Sequence, residues 1–264
     1  MSYFSGLVEL RGTVRKLLPE AVWTVLWPLR REMKTLRMFR LGLECPICGN
    51  NRRFIVVNTK GGAHETLCLR CMSLERHRRT ILLLRRYTNL YVDQLRVLHV
   101  APEACLRSEF QRLSNLDYLT GDLFAQDVDV RLDLTALEFR DSDFDVVLCS
   151  HVLEHIPDDM QAMREIRRVV KPDGWALINV PADPARQEVY EDPSIVDPAE
   201  RLRHFGQEDH VRIYSTHAVV ERLSRAGFDV TVDPITFTAE ERRRYLLTGD
   251  IGLDRSYFCV PTNR

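Results

Sequence analysis

Two cysteine pairs, Cys45-Pro-Ile-Cys48 and Cys68-Leu-Arg-Cys71, are separated by nineteen residues, a spacing typical of four-thiolate zinc sites. Each turn aims two sulfurs at one point, and two such turns complete a tetrahedron with no position left for water. The chemistry expected of Cys45, Cys48, Cys68 and Cys71 is therefore structural Zn2+ binding. About 30 residues bury too little apolar surface to fold without such an ion. A redox pair is the competing use of the same thiols.

Arg52, Arg53, Arg70, Arg76, His77, Arg78, Arg79, Arg85 and Arg86 surround the pairs. A cluster of this kind suits RNA phosphates, a phosphorylated substrate or acidic lipid, and it is equally the ordinary surface of a solvated helix. A second concentration of hydrogen-bonding groups runs from Tyr190 to Tyr214 and holds Glu191, Asp192, His204, Gln207, Asp209, His210 and Arg212.

These groups need elements to hold them. With 45% hydrophobic and 28% charged residues over 264, the chain has the composition of a soluble globular protein, long enough for one sizeable core and a small appended module. Its net charge of −1 does not make nucleic acid the default partner. Seven unevenly placed cysteines are not a secreted disulfide framework, so a reducing, cytoplasmic setting is expected. The apolar run Ala21 to Leu29 is too short to span a bilayer and lacks a cleavage site after it.

Residues 1–43 form a basic amphipathic arm divided by Pro19 and Pro28, with Trp23 and Trp27 among its apolar residues. It is suited either to packing on protein or to peripheral contact with an anionic membrane. Residues 44–90 comprise the cysteine module and a linking helix over Ser73 to Tyr87. From residue 91 to 264 short apolar runs alternate with helical stretches, the pattern of a doubly wound, mostly parallel α/β sheet. Strands are expected at Arg96 to Val100, Leu116 to Thr120, Phe144 to Cys149, Trp175 to Val180, Phe228 to Val232 and Ser256 to Val260. Helices are expected at Ala104 to Leu113, Asp158 to Val170 and Thr216 to Arg225. In such a sheet the carboxyl ends of Arg96 to Pro102 and Leu116 to Asp122 face one crevice, where Asp122 can accept hydrogen bonds from ribose hydroxyls.

The stretch Asp133 to Pro157, DLTALEFRDSDFDVVLCSHVLEHIP, with Val170 to Gly174, VKPDG, closely resembles class I methyltransferases of the type 11 family. The resemblance implies a Rossmann-like seven-stranded sheet with an antiparallel last strand, and S-adenosyl-L-methionine as cofactor. It implies that Asp122 holds the ribose, that Asp133 and Leu134 flank the adenine, and that Ser150 and His151 approach the sulfonium. The family's acid-x-Gly-x-Gly-x-Gly loop aligns with His99 to Cys105, where every matching position differs. Ala101 and Glu103 stand in that loop, and Glu103 is expected to pair with the cofactor's ammonium in place of the missing acid.

Transfer to a hydroxyl calls for alignment and a base. His210 is the first candidate, oriented by Asp209 or Glu208, and His151 the second. Tyr190, His204, Gln207, Arg212 and Tyr214 are the expected acceptor contacts, and their polarity suits a polar small molecule or glycan hydroxyl. Two other readings stand beside it: an RNA methyltransferase gripping its substrate with the zinc module, and a scaffold that has lost its cofactor.

Overall fold

The apolar runs assemble into one sheet in a computed structural model that describes residues 42–58, 64–247 and 254–262. The basic arm, apart from Gly42 and Leu43, lies outside these residues. In chain order the strands are β1 (Phe54–Asn58), β2 (His64–Cys68), β3 (Leu95–Val100), β4 (Leu116–Asp122), β5 (Val130–Arg131), β6 (Phe144–Ser150), β7 (Val170–Pro181), β8 (Tyr190–Glu191), β9 (Arg212–Ile213), β10 (Phe228–Val232) and β11 (Asp254–Pro261). Seven of them form the sheet, in the order β10-β11-β7-β6-β3-β4-β5. β11 runs antiparallel to both its neighbours, whereas β3 pairs in parallel with β4 and β6. This matches the seven-stranded expectation, antiparallel last strand included.

Six helices accompany the strands among the described residues: α1 (Glu75–Tyr87), α2 (Ala104–Phe110), α3 (Asp159–Val169), α4 (Pro198–Phe205), α5 (Thr216–Arg225) and α6 (Ala239–Arg244). Successive side chains of a strand point to opposite faces, and the central strands obey this residue by residue. Val97, Val146, Leu148, Trp175 and Leu177 pack with Ile81 and Leu84 of α1 and Leu106 and Phe110 of α2. Leu98, Val147, Cys149, Ala176 and Ile178 pack on the other face with Met163 and Ile166 of α3 and Leu223 of α5. Both faces are covered, which is why these strands read as near-continuous apolar runs.

The helix expected over Ala104 to Leu113 ends at Phe110, where Gln111 to Ser114 turn toward β4. α3 begins after Asp158, whose carboxylate accepts from the Gln161 N–H at 2.9 Å. The stretch Lys171 to Gly174, expected to be a turn, lies inside β7 as an irregularity in its pairing with β6, and a Cβ on Gly174 would come within 2.4 Å of the Asp145 carbonyl oxygen. Only glycine fits that approach.

The cysteine segment is joined to the sheet domain instead of standing apart from it. Cys45, Phe54 and Cys68 belong to the same apolar cluster as α1, α2 and one face of the sheet. The β1–β2 hairpin is further clamped by the chain around α6. Glu44 N–H donates to the Arg244 carbonyl at 2.8 Å, and the Thr66 hydroxyl donates to the Leu246 carbonyl at 3.0 Å.

Candidate active site

The strand order reverses at β3: β4 follows it on one side and β6 on the other. Ligands of doubly wound sheets bind outside the carboxyl ends of the strands at such a reversal. Here a small cavity, partly open to solvent, is lined by Glu103 after β3, Ser150 and His151 at the end of β6, Asn179 on β7 and Asp254 to Ser256 on β11. Its remaining wall is the first turns of α1, which contribute Arg76, His77, Arg79 and Thr80. The helix that follows the second cysteine pair therefore closes this cavity.

The first loop keeps the backbone of a glycine turn without the glycine. Ala101 has φ of +48°, a left-handed conformation that costs an L-residue roughly 1–2 kcal/mol, and its N–H donates to the Gly121 carbonyl at 2.8 Å. His99, at the aligned acid position, is 1% exposed, with Nδ1 at 2.7 Å from the Tyr118 hydroxyl and Nε2 at 3.2 Å from Glu103 Oε2. Burial works to raise the Glu103 carboxyl, but the bond to His99 and the electrostatic influence of the neighbouring His99 and His77 rings outweigh it and hold the group down at about 2. Glu103 thus reaches the cavity as a carboxylate, already paired to His99.

His77 caps α1: its Nδ1 accepts from the Leu74 N–H at 3.0 Å. That bond assigns the proton to Nε2, which stands 3.9 Å from Glu103 Oε1 with no hydrogen-bond partner. Burial pushes His77 down to about 4, so the ring is a neutral donor. Arg76 Nε and Arg255 Nε also lack hydrogen-bond partners, as does the acceptor Oδ1 of Asn179. Unsatisfied buried polar groups are rare in native proteins, and these four belong to residues that line one cavity.

Asp122 ends β4, where its Oδ1 accepts from the Phe124 and Ala125 N–H groups at 2.7 and 2.8 Å. Asp133 is exposed and caps its own turn by accepting from Thr135 N–H at 2.8 Å, while Leu134 is buried in the core. Bonding from the Thr135 backbone and hydroxyl keeps the Asp133 carboxyl below its usual range. Leu123 and Phe124, 36% and 79% exposed, follow Asp122 directly. Sequence reading passed over them because two apolar residues after a strand look like ordinary core. Ser150 accepts from Asn179 Nδ2 at 2.8 Å. His151 adopts φ of +54°, and its N–H donates to the Asn179 carbonyl at 2.8 Å. His151 Nδ1 lies 3.3 Å from Glu154 Oε1, outside hydrogen-bond alignment, and Nε2 lies 3.6 Å from Asp254. Burial alone would lower His151, but Glu154 and Asp254 outweigh it and raise it.

The residues expected to contact an acceptor divide in two. Tyr214 is fully buried, and its hydroxyl donates to Asp159 at 2.6 Å. Arg212 is 4% exposed and donates to Glu191 at 2.8 Å and to the carbonyls of Leu153, Ile156 and Pro157. Both side chains are committed to framework, where no acceptor can reach them. Tyr190 and His204 face solvent and bond each other at 2.6 Å between the phenol and Nδ1, and Gln207 is half-buried just beyond α4. Asp209 lies against His155 and not His210, its Oδ2 3.5 Å from His155 Nδ1. His210 is 6% exposed and stacks edge-on against His155 at 4.7 Å between centroids. Burial pushes His210 down, against Glu154 and a bond to the Phe205 carbonyl.

The four sulfurs converge. Cys45 and Cys71 Sγ are 3.6 Å apart, Cys48 and Cys68 Sγ are 3.7 Å apart, and all four lie within 4.8 Å of one another. Zn–S bonds of about 2.3 Å give a tetrahedron with edges of about 3.8 Å, so the donor set fits that ion. Asn50 Nδ2 donates to Cys68 Sγ at 3.3 Å, and the Ser73 hydroxyl lies 3.4 Å from Cys45 Sγ, an arrangement that supports thiolates. Arg78, fully buried, ties the cluster to the domain: it donates to the Thr66 and Ser73 carbonyls at 3.0 Å, to those of Tyr245 and Leu246 at 2.8 Å, and to the Thr66 hydroxyl.

Residues 97–178 match the type 11 family of methyltransferase domains. A protein of Methanocaldococcus jannaschii is 32% identical over 81 residues, 30% of this chain and 36% of that protein. A methyltransferase of Mycobacterium sp. (strain KMS) is 42% identical over 50 residues, 19% of this chain and 20% of that protein. Each match therefore spans well under half of the relative's own length. The structure of an S-adenosylmethionine dependent methyltransferase from Mesorhizobium loti is similar with a TM-score of 0.51 at 17% identity, over 69% of this chain and 97% of that one. From β3 into β7 the chain is therefore similar to a methyltransferase domain, and its sheet shares the fold of the Mesorhizobium loti protein.

Proposed function

We propose that the chain is an S-adenosylmethionine-dependent O-methyltransferase acting on a polar small molecule or a carbohydrate, with Zn2+ held by Cys45, Cys48, Cys68 and Cys71 as a structural ion. The observation that carries the reading is the cavity at the strand reversal, which offers both signs of charge to a zwitterion. Glu103 and Asp254 suit the ammonium of the cofactor's methionine end, and His77 Nε2–H with the unpaired Nε–H of Arg76 and of Arg255, whose outer nitrogens pair with Glu65 and Asp233, suit its carboxylate. Asp122 stands one strand away for the ribose, with exposed Leu123 and Phe124 beside it for the adenine.

S-adenosylmethionine supplies a methyl group already activated on a sulfonium. The chain's own contribution is alignment and exclusion of water. α1 roofs the cavity, and the left-handed turns at Ala101 and His151 bring backbone close to the ligand. An RNA grip is less well supported, because the arginine cluster is occupied internally. Arg76 pairs with Glu65, Arg79 with Glu75, Arg85 with Glu109 and Arg86 with Glu241, while Arg78 is fully buried. Such a cluster braces the module and leaves few cations for phosphates.

Calorimetric titration of the zinc-loaded protein with S-adenosylmethionine and S-adenosylhomocysteine tests the reading, with Asp122→Ala as control. Micromolar binding that the control loses is expected. Absence of binding would transfer the argument to a scaffold that keeps the fold without the cofactor.

A further inference from the structure

Beside the cofactor cavity lies a group of side chains that its chemistry leaves unexplained. Glu154, in the 3-10 turn Leu153–His155, is 1% exposed; neither carboxylate oxygen has an aligned hydrogen-bond partner among the described residues, and the His151 ion pair at 3.3 Å reaches only Oε1. A buried carboxylate without hydrogen bonds is strongly disfavoured unless a cation compensates it. Two imidazoles stand against it: one donor atom each from Glu154, His155 and His210 lie within 4.8 Å of one another. We propose that Glu154, His155 and His210 bind a divalent first-row metal ion, a site distinct from the four-cysteine cluster.

The surroundings fit ligation in three respects. His155 directs Nδ1 at Asp209, 3.3 Å from its carbonyl and 3.5 Å from Oδ2, which leaves Nε2 for the ion; ligating histidines commonly give their second nitrogen to such oxygens. His210 is carried to the turn by backbone, since the Val211 N–H donates to the Glu154 carbonyl at 2.9 Å. Arg212 then locks the two segments by donating to the carbonyls of Leu153, Ile156 and Pro157. Bonds of about 2.1 Å need donors no more than about 4.2 Å apart, so loading draws this set together only slightly. Two imidazoles and one carboxylate suit Mn2+, Fe2+, Co2+ or Zn2+ and leave positions open for an outside oxygen ligand.

The location says what that ligand is. His151 lines the cofactor cavity and touches Glu154 at 3.3 Å, so the ion sits behind the wall that the sulfonium would face. On the methyltransferase reading, on which this step rests, the open positions take an oxygen of the acceptor and orient it, an electrostatic role for a bound cation. His210 is then a ligand and not the base expected from sequence.

The test is titration with Mn2+ of the full-length protein brought to a single Zn2+ per chain, the amount the four thiolates take, with free Mn2+ followed by electron paramagnetic resonance; Mn2+ does not compete for a four-thiolate zinc site. One Mn2+ per chain is expected, bound at least tenfold more weakly by Glu154→Gln and by His210→Gln, with thermal melting recorded to establish that each variant is folded. Should a variant unfold, His155→Asn on the more exposed side of the turn makes the same discrimination. No Mn2+ bound by the parent protein, or equal binding by folded variants, overturns the site. Neither result depends on cofactor binding, so this proposal and the methyltransferase reading fail separately.

Discussion

His99 Nε2 and Glu103 Oε2 face each other at 3.2 Å across the first loop. A histidine stands where the resemblance calls for an acid, and the acid stands four residues later. The loop has therefore kept a carboxylate at the cavity while changing the position that supplies it. This accounts for a doubly wound sheet whose first loop carries none of the aligned glycines.

Glu103→Gln is expected to weaken S-adenosylmethionine binding at least tenfold by calorimetry. The same substitution has a pH signature. The native carboxyl is held at about 2 against an ordinary 4.5, so its contribution to stability is fully present above pH 4.5 and is lost as pH falls toward 2. Urea unfolding should find the variant less stable by about 1–3 kcal/mol at pH 6 and nearly equal to the parent near pH 2. A constant gap across that window would mean that the charge of Glu103 is not what stabilises the loop.

Ala101 pays in strain for its φ of +48°. Ala101→Gly removes the Cβ conflict but frees the unfolded chain, two effects of opposite sign. A net gain of about 0.5–1 kcal/mol in unfolding free energy is expected, with cofactor affinity unchanged or improved. Lower stability would show that the Cβ of Ala101 makes contacts worth more than the strain.

The parallel core was legible because its strands are buried on both faces: Val146 to Cys149 of β6 reads as an unbroken apolar run, whereas the edge strand β10 alternates buried or half-buried residues with exposed ones. The cysteine set was legible from spacing alone. What sequence could not show was partnership at a distance. Nothing local marks Arg78 as the fully buried link between residues 66 and 246, since an arginine among arginines reads as surface. Tyr214 and Arg212 read as pocket because polar side chains in a loop usually are; Asp159 and Glu191, distant in sequence, take them inside. Glu154 and His210 meet only through folding.

Removal of the proposed zinc should act on the cofactor site as well as on the module. Cys68 anchors the hairpin, Arg78 ties the hairpin to the chain after α6, and α1 carries His77 and Arg76 over the cavity. Cys68→Ser, or prolonged chelation, is expected to release one Zn2+ per chain in a colorimetric assay, to lower the melting temperature and to reduce cofactor affinity at least tenfold. Release of zinc with cofactor affinity intact would mean that α1 holds its place without the cluster.

Asp159 provides the sharpest stability test. Its carboxylate, 3% exposed, accepts from the Tyr214 hydroxyl at 2.6 Å and from Arg222 Nη1 at 2.6 and 2.8 Å, with Arg212 Nη1 at 3.8 Å. Glu191 bonds the same two arginines, at 2.8 Å to Arg212 and 2.6 Å to Arg222. Asp159→Ala strands a buried phenol and leaves two cations with one carboxylate, a defect that ordinarily costs about 3–5 kcal/mol. Asp159→Asn keeps an oxygen for the phenol and should cost less. Because Arg212 and Tyr214 lie two and four residues after His210, the loss should also loosen His210 from Glu154. Denaturant unfolding of both variants measures the first effect, and Mn2+ titration of the folded Asp159→Asn protein measures the second. Full stability in Asp159→Ala would mean that the arginines are held by Glu191 and backbone carbonyls alone, and that the segment carrying His210 does not depend on Asp159.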